Sequence, residues 1–232
     1  MSANESIETE KLPTCIGFIV DGNRRWAKEQ GLTVPEGHKR GLEVVEDVVR
    51  WAASREIPHL IFYGFSTENW NRSPIEVVAL CALFEQVLTR FVRDGVGEMR
   101  LQFIGERERF SESLQKLMAT LEEDTGSRSG ICVTMALSYG GRSEIVSAVN
   151  RAIAEGNQVD EASFSALLST ANIPDPDLIV RTSGEQRLSN FLPWQAVYSE
   201  LYFTKTYWPA FTEAEFAHIL RDYVSRSRRR GR

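Results

Sequence analysis

The feature that most constrains this chain is alternation: short apolar runs separated by stretches with helical spacing. Runs at 16–20, 59–65, 99–104, 131–138 and 178–181 are predicted strands, with a short sixth near 200–203. Between them, Leu42, Val45, Val48, Val49 and Ala52 mark one face of a first long helix. Phe110, Leu114, Leu117, Met118 and Leu121 mark a second. The alternation predicts an α/β fold with a mainly parallel sheet and right-handed crossovers. Two helix starts are well signed. Ser73-Pro74-Ile75-Glu76 and Thr212-Glu213-Ala214-Glu215 each offer a capping hydroxyl and a glutamate to close the box. The last helix then carries an apolar face of Phe216, Ile219, Leu220, Tyr223 and Val224. Val77 to Phe84 is apolar all round, which fits either a central core helix or a helix that lines an apolar cavity.

At 232 residues the chain suits one domain over 13–232, preceded by a flexible N-terminus at 1–12. A net charge of -5 argues against a nucleic-acid surface. Cys15, Cys81 and Cys132 sit far apart in apolar runs, as reduced core residues of a cytosolic protein do. No apolar stretch reaches membrane-spanning length, and Met1 to Lys11 is too polar and acidic for a signal peptide. The expected location is cytoplasmic.

The polar clusters follow the strands. Asp21 follows the first, at a Gly22-Asn23 turn that leads into Arg24, Arg25 and Trp26. Ser66-Thr67-Glu68-Asn69-Trp70-Asn71-Arg72 follows the second, Tyr139-Gly140-Gly141-Arg142 the fourth, and Arg181 to Arg187 the fifth. In an open parallel sheet, ligands bind outside the carboxyl ends of the strands, so all four clusters are predicted to meet on one rim. Arg24, Arg25, Arg72, Arg142, Arg181 and Arg187 supply guanidinium forks suited to phosphate, and Ser66, Ser183 and Ser189 supply hydroxyls. Magnesium takes one or two protein carboxylates beside phosphate and water, which makes Asp21 the first candidate ligand and Glu200 the second. His38, at the start of the first long helix, is a further anion donor, whereas His59 and His218 read as packing or surface residues. No P-loop, dinucleotide fingerprint or nucleophile elbow appears. The residues together suggest a magnesium-assisted diphosphate site beside an apolar wall.

Five blocks occur in order: Asp21-Gly22-Asn23-x-Arg25-Trp26-Ala27, Gly37-His38, Phe65-Ser66-x-Glu68-Asn69-Trp70-x-Arg72, Tyr139-Gly140-Gly141-Arg142 and Arg181-Thr182-x-Gly184-Glu185-x-Arg187-x-Ser189-Asn190-Phe191. The last continues through Trp194-Gln195 and Tyr198 to Glu200-Leu201. With these blocks the chain, from about Ile16 to Gly231, closely resembles the cis-prenyltransferases, typified by undecaprenyl diphosphate synthase. The resemblance implies one catalytic domain, a six-stranded sheet with a hydrophobic tunnel, and a homodimer. It implies that isopentenyl diphosphate adds to an allylic diphosphate primer such as farnesyl diphosphate, to give an undecaprenyl-type Z-polyprenyl diphosphate. By position, Asp21 is the implied Mg2+-linked acid and Asn69 the implied proton acceptor, although an amide is a poor base. Gly22, Asn23, Arg24, Arg25, Trp26 and His38 are implied to hold the primer's diphosphate, with Ser66, Thr67, Glu68, Trp70 and Arg72 around Asn69. Arg181, Arg187 and Ser189 are implied to bind isopentenyl diphosphate, and Glu200 to help place magnesium. The tail Arg226-Ser227-Arg228-Arg229-Arg230-Gly231 matches an ending that reaches the partner's site.

Three positions depart from the family pattern. Val34 stands where many members have arginine, with Arg24 as its candidate substitute; Gln186 replaces a histidine found in some members, and Pro193 a common leucine. The alternatives are a short-chain or single-step synthase and a non-catalytic binding subunit. The intact Asp21 and arginine blocks favour the elongating enzyme. Transient membrane contact for release of a lipid-like product stays open, as does product length.

Overall fold

Cys15–Ile19 is buried at every position, which is why it reads as an unbroken apolar run: it is β1, the strand with neighbours on both sides. The structure, a computed structural model, describes residues 12–226. Residues 1–11 of the predicted N-terminal arm, and the tail beyond Arg226, lie outside the described residues. Strand β2 (His59–Ser66) flanks β1 on one side, followed outward by β4 (Cys132–Tyr139) and β3 (Arg100–Ile104). On the other side lie β5 (Leu178–Arg181) and β6 (Glu200–Phe203). The order is β3-β4-β2-β1-β5-β6, and every pairing is parallel. The crossovers contain α1 (Asn23–Glu29), α2 (Val34–Ala53), α3 (Pro74–Asp94), α4 (Glu112–Thr125), α5 (Gly141–Ala154) and α6 (Glu161–Ser165); α7 (Glu213–Ser225) ends the fold.

Each face of the sheet has its own packing. Ile16, Phe18, Leu60, Phe62, Val133 and Val180 meet the buried faces of α2, α3, α4 and α7. Phe18 stacks on Phe62 at 5.3 Å between ring centres and lies 5.8 Å from the Trp208 ring. The opposite face carries Cys15, Ile19, Ile61 and Tyr63 against Phe191 and Leu192. Chain positions of even and odd parity in β1 thus serve different clusters, and both clusters are apolar.

The two predicted capping boxes are half made. Ser73 Oγ accepts from the Glu76 N–H at 3.4 Å, with Pro74 at the first helical position, but the Glu76 carboxylate turns to Arg72. Thr212 Oγ1 accepts from the Glu215 N–H, and the Glu215 carboxylate accepts from Thr204. A complete box forms instead at the start of α2, where Glu36 accepts from both the N–H and the hydroxyl of Thr33. The apolar stretch of α3 is not a central core helix. Leu80 and Phe84 are buried, whereas Ile75 and Val78 are exposed. Its inner side faces a cavity and its outer side solvent, as the second reading of Val77 to Phe84 requires.

Candidate active site

Asp21 leaves the carboxyl end of β1 through Gly22, whose φ of +108° is open to glycine and whose absent Cβ would meet Tyr207 at 2.7 Å. The turn is clamped from the neighbouring strand. Thr182 Oγ1 donates to the Asp21 carbonyl at 2.6 Å and accepts from the Asp21 N–H at 3.0 Å. This fixes the carboxylate between two cations: Oδ2 accepts from Arg181 at 2.9 Å and Oδ1 from Arg25 at 3.2 Å. Burial pushes the Asp21 carboxyl up, but the Arg181 hydrogen bond and charge, with Arg25 behind them, outweigh it and hold the group below the ordinary carboxylate value. Arg181 itself is buried and also donates to Ser189 Oγ at 2.7 Å and to the Arg187 carbonyl.

The predicted rim exists. A cavity of about 690 Å³ is lined by Asp21, Asn23, His38, Ser66, Glu68, Asn69, Arg72, Arg142, Arg181 and Ser189, drawn from the ends of β1, β2, β4 and β5. A second, of about 800 Å³, adjoins it at Asp21, Asn23, His38 and Arg72 and adds Gly22, Arg24, Arg25, Lys28 and Val34. Arg24 and Val34 therefore line one pocket. The cations do not stand alone. Glu185 pairs with both Arg25 (3.2 Å) and Arg187 (2.6 Å), and Glu76 with both Arg72 (3.1 Å) and Arg24 (3.7 Å).

The segment after β2 is a short 3-10 turn, Thr67–Asn71, and its bonds sort the predicted residues. Asn69 Oδ1 accepts from the Ser66 N–H at 3.1 Å, so the amide NH2 is the end left for the site. Glu68 accepts from Asn190 Nδ2 (3.1 Å) and from its neighbour Thr67, which joins this turn to the Ser189 loop. Trp70 points away from the cavities. Its ring packs on Phe65 and Phe110, and its Nε1 donates to Ser138 Oγ at 2.9 Å. It supports the turn from beneath. Trp26, Thr67, Trp70, Arg187 and Glu200 are not among the residues that line the two polar cavities. Asn23 does line them, with its amide tied to the Val20 carbonyl at 3.0 Å.

His38 lies one turn into α2 and touches both polar cavities. Burial, then the charges of Arg72 and Arg24, push its imidazole down to about 4, so it is neutral at ordinary pH. Its buried Nε2 has no hydrogen-bond partner among the described residues, a polar atom that a bound ligand would satisfy.

Glu200 lies apart from Asp21 within one chain. It pairs in register with Leu178, which pairs with Ile16, whereas Asp21 emerges beyond the Ile19–Arg181 pair. Three residues along a strand span about 10 Å, so within one chain the two acids stand at different levels of the sheet. The Glu200 carboxylate instead accepts from Arg226 at 2.9 Å. Residues 227–231 of the arginine tail lie outside the described residues. Among the described residues no group of three His, Cys, Asp or Glu side chains gathers to hold a metal. Asp21 beside arginines and an open cavity nonetheless fits magnesium, which binds through one carboxylate when phosphate oxygens and water complete its shell.

Behind the rim is an apolar cavity of about 470 Å³, walled by Leu42, Val45 and Val49 of α2, Phe84, Leu88 and Phe91 of α3, and Leu101, Val133 and Leu137 of the sheet. A narrow space at Leu80, Leu83, Phe84, Met135 and His38 lies between it and the rim, sharing residues with each. Leu137 lines the apolar cavity, Leu80 and Leu83 line the neck, and Phe84 lines both.

Sequence reasoning missed Thr182, Tyr63 and Glu76. Tyr63 Oη lies within hydrogen-bond distance of the carbonyls of Tyr139 (3.1 Å) and Ser189 (3.3 Å), so it braces two site loops from within a strand. Thr182 had one usable signal, its place directly after Arg181 at a strand end.

A family model, Prenyltransf, described as undecaprenyl diphosphate synthase, matches residues 19–231. The isoprenyl transferase of Aquifex aeolicus is 44% identical over 225 residues, covering 96% of this chain and 97% of that protein. The tritrans,polycis-undecaprenyl-diphosphate synthase (geranylgeranyl-diphosphate specific) of Thermoplasma volcanium is 39% identical, covering 98% and 92%. The crystal structure of lavandulyl diphosphate synthase from Lavandula x intermedia in complex with dimethylallyl diphosphate is similar at a TM-score of 0.90 and 34% identity, covering 96% of this chain and all of that one.

Proposed function

This chain belongs to that prenyltransferase family, and we propose that it adds isopentenyl diphosphate repeatedly to an allylic diphosphate primer, making a Z-polyprenyl diphosphate. The observation that carries the reading is one of adjacency. An arginine-rich rim around a single clamped carboxylate opens toward an apolar cavity, as a substrate with a diphosphate head and a hydrocarbon tail requires.

In this reading the primer's diphosphate lies among Arg24, Arg25, Arg72 and the Gly22–Asn23 turn, with His38 Nε2 as a neutral partner. Its tail points past Leu80 and Leu83. Arg181, Arg187 and Ser189 hold isopentenyl diphosphate. The primer's C1–O bond breaks as the isopentenyl double bond attacks C1, the new C–C bond forms, and a proton leaves the former isopentenyl C2. Asp21 would hold magnesium, which would supply positive charge to the leaving group. The arginines stabilise the same developing charge. Asn69 presents its NH2 to the site; as a donor it orients a diphosphate oxygen, and the departing diphosphate accepts the proton. The chain acts as a homodimer in this reading. Val146, Val149 and Ile153 of α5, with Val197 and Tyr198, offer exposed apolar side chains to a partner. No helix among the described residues is long and apolar enough to cross a membrane. In this reading the enzyme is cytoplasmic, and its lipid-like product leaves by transient contact with the membrane surface.

A second reading is a short-chain coupling enzyme, favoured by the likeness to the lavandulyl diphosphate synthase structure. One assay separates the two. Purified protein is incubated with labelled isopentenyl diphosphate, Mg2+ and dimethylallyl, farnesyl or geranylgeranyl diphosphate in turn, and the dephosphorylated products are sized beside those of Asp21→Ala. A ladder ending at one length, absent from the variant, supports elongation and names the primer. A single addition supports coupling. No incorporation with any allylic diphosphate sinks both and leaves a binding subunit.

A further inference from the structure

Glu76 occupies a position that its helix does not require. It stands in the first turn of α3, where Ser73 Oγ takes its backbone N–H and Pro74 sets the helix start. Its carboxylate is free for other use, and it lies mostly buried between Arg72 (3.1 Å) and Arg24 (3.7 Å). Those two guanidiniums line the 800 Å³ cavity together with Arg25, Lys28 and His38. Arg24, Arg25, Arg72 and Lys28 repel each other around this space, and a carboxylate beside two of them lowers that repulsion until a ligand anion enters. The two contacts differ in kind. Arg72 is within hydrogen-bond reach, whereas Arg24 is held by charge alone and its side chain is 57% exposed.

We propose that Glu76 is an internal counter-anion of the diphosphate pocket, holding Arg24 and Arg72 until the diphosphate of the allylic primer takes them over. The proposal rests on the reading of this cavity as the primer's site. A diphosphate presents several oxygens to each guanidinium fork, where Glu76 presents one to each, so the ligand wins the exchange. Arg24, the looser partner, moves first. Glu76 sits on α3 and Arg24 on α1, so the exchange also unties these two helices beside the neck of the apolar cavity. A retained carboxylate weakens the grip on every diphosphate that enters. It favours release of the lengthened chain at the cost of primer affinity.

The test is a cycle of calorimetric titrations with inorganic pyrophosphate and Mg2+, on the full chain, Glu76→Gln, Arg24→Gln and the double variant. Glutamine keeps the size of the side chain and the backbone cap. Glu76→Gln is expected to bind pyrophosphate tighter by roughly threefold or more, and the gain is expected to shrink once Arg24 is replaced. In steady state the same variant lowers KM for the allylic primer and leaves KM for isopentenyl diphosphate unchanged. Unchanged or weaker pyrophosphate binding by Glu76→Gln overturns the proposal, since it makes Glu76 a support for the arginines or a bystander. A gain of equal size with and without Arg24 also overturns it. Pyrophosphate binding is read without turnover, so a failure of the elongation assay and a failure of this proposal are told apart.

Discussion

The Asp21 carboxylate and the buried Arg181 guanidinium meet at 2.9 Å across the ends of two adjacent parallel strands. Each needs the other in a different way. Arg181 is almost without solvent and keeps Asp21 as its counter-charge, while Asp21 is partly open and available to a ligand. Replacement of Asp21 by Ala is therefore expected to cut product formation by about a thousandfold, in the range seen when a centre of transition-state charge stabilisation is lost. Steady-state incorporation of labelled isopentenyl diphosphate checks it. Retention of a tenth of the activity would remove Asp21 from the chemistry.

His38 gives the fold a pH dependence. Its folded value is about 4 against 6.5 for a free imidazole, so between those values the unfolded chain binds a proton that the native chain refuses. Stability from this group is full above pH 6.5 and falls as pH drops toward 4, by a total on the order of 3 kcal/mol. Urea unfolding at pH 7, 6 and 5 is expected to show a decline in the wild-type chain that is shallower in His38→Gln. Equal slopes would place the decline elsewhere.

Gly41 lets α2 pass close to Asn23 at the start of α1. A Cβ there would stand 2.1 Å from Asn23 Oδ1 and 3.2 Å from the Trp208 ring. Gly41→Ala is expected to lower stability by about 1–3 kcal/mol, the usual range for overpacking. It should also raise KM for the primer, because Asn23 moves with the turn that carries Asp21. Thermal melts and primer titration check the two effects separately.

The apolar cavity predicts a shift in product length in both directions. Phe84→Ala enlarges the space beside the neck and is expected to lengthen the product, at a stability cost of about 3–5 kcal/mol. Val49→Phe, on a partly buried wall of α2, is expected to shorten it with less disturbance. Chromatography of the dephosphorylated products decides. Identical lengths in both variants would mean that the tail grows somewhere else.

Strands β1, β2, β4 and β5 were legible because each is buried on both faces or nearly so, and their bounds fall within a residue or so of the apolar runs. Helix α5 was not, since Val146, Val149 and Ile153 lie on its outer side and blur the helical period that Ala148 and Ala152 mark within. The rim was legible as strand ends rich in arginine. Which acid meets which arginine was not, because Glu76 looks from sequence like a capping residue and Glu185 like any loop acid. Within one chain, Glu200 stands away from Asp21 for a reason that the sequence hides. Its level in the sheet depends on the register of β6 against β5, and no local pattern encodes register between parallel strands.

The rim is made of strand ends and first helical turns, whereas the far wall of the apolar cavity is made of the last turns of α3 and the opposite ends of β3 and β4. Met99 and Ile131 line that wall and neither polar cavity. A substitution at that wall thus reshapes the apolar space without touching a residue of either polar cavity.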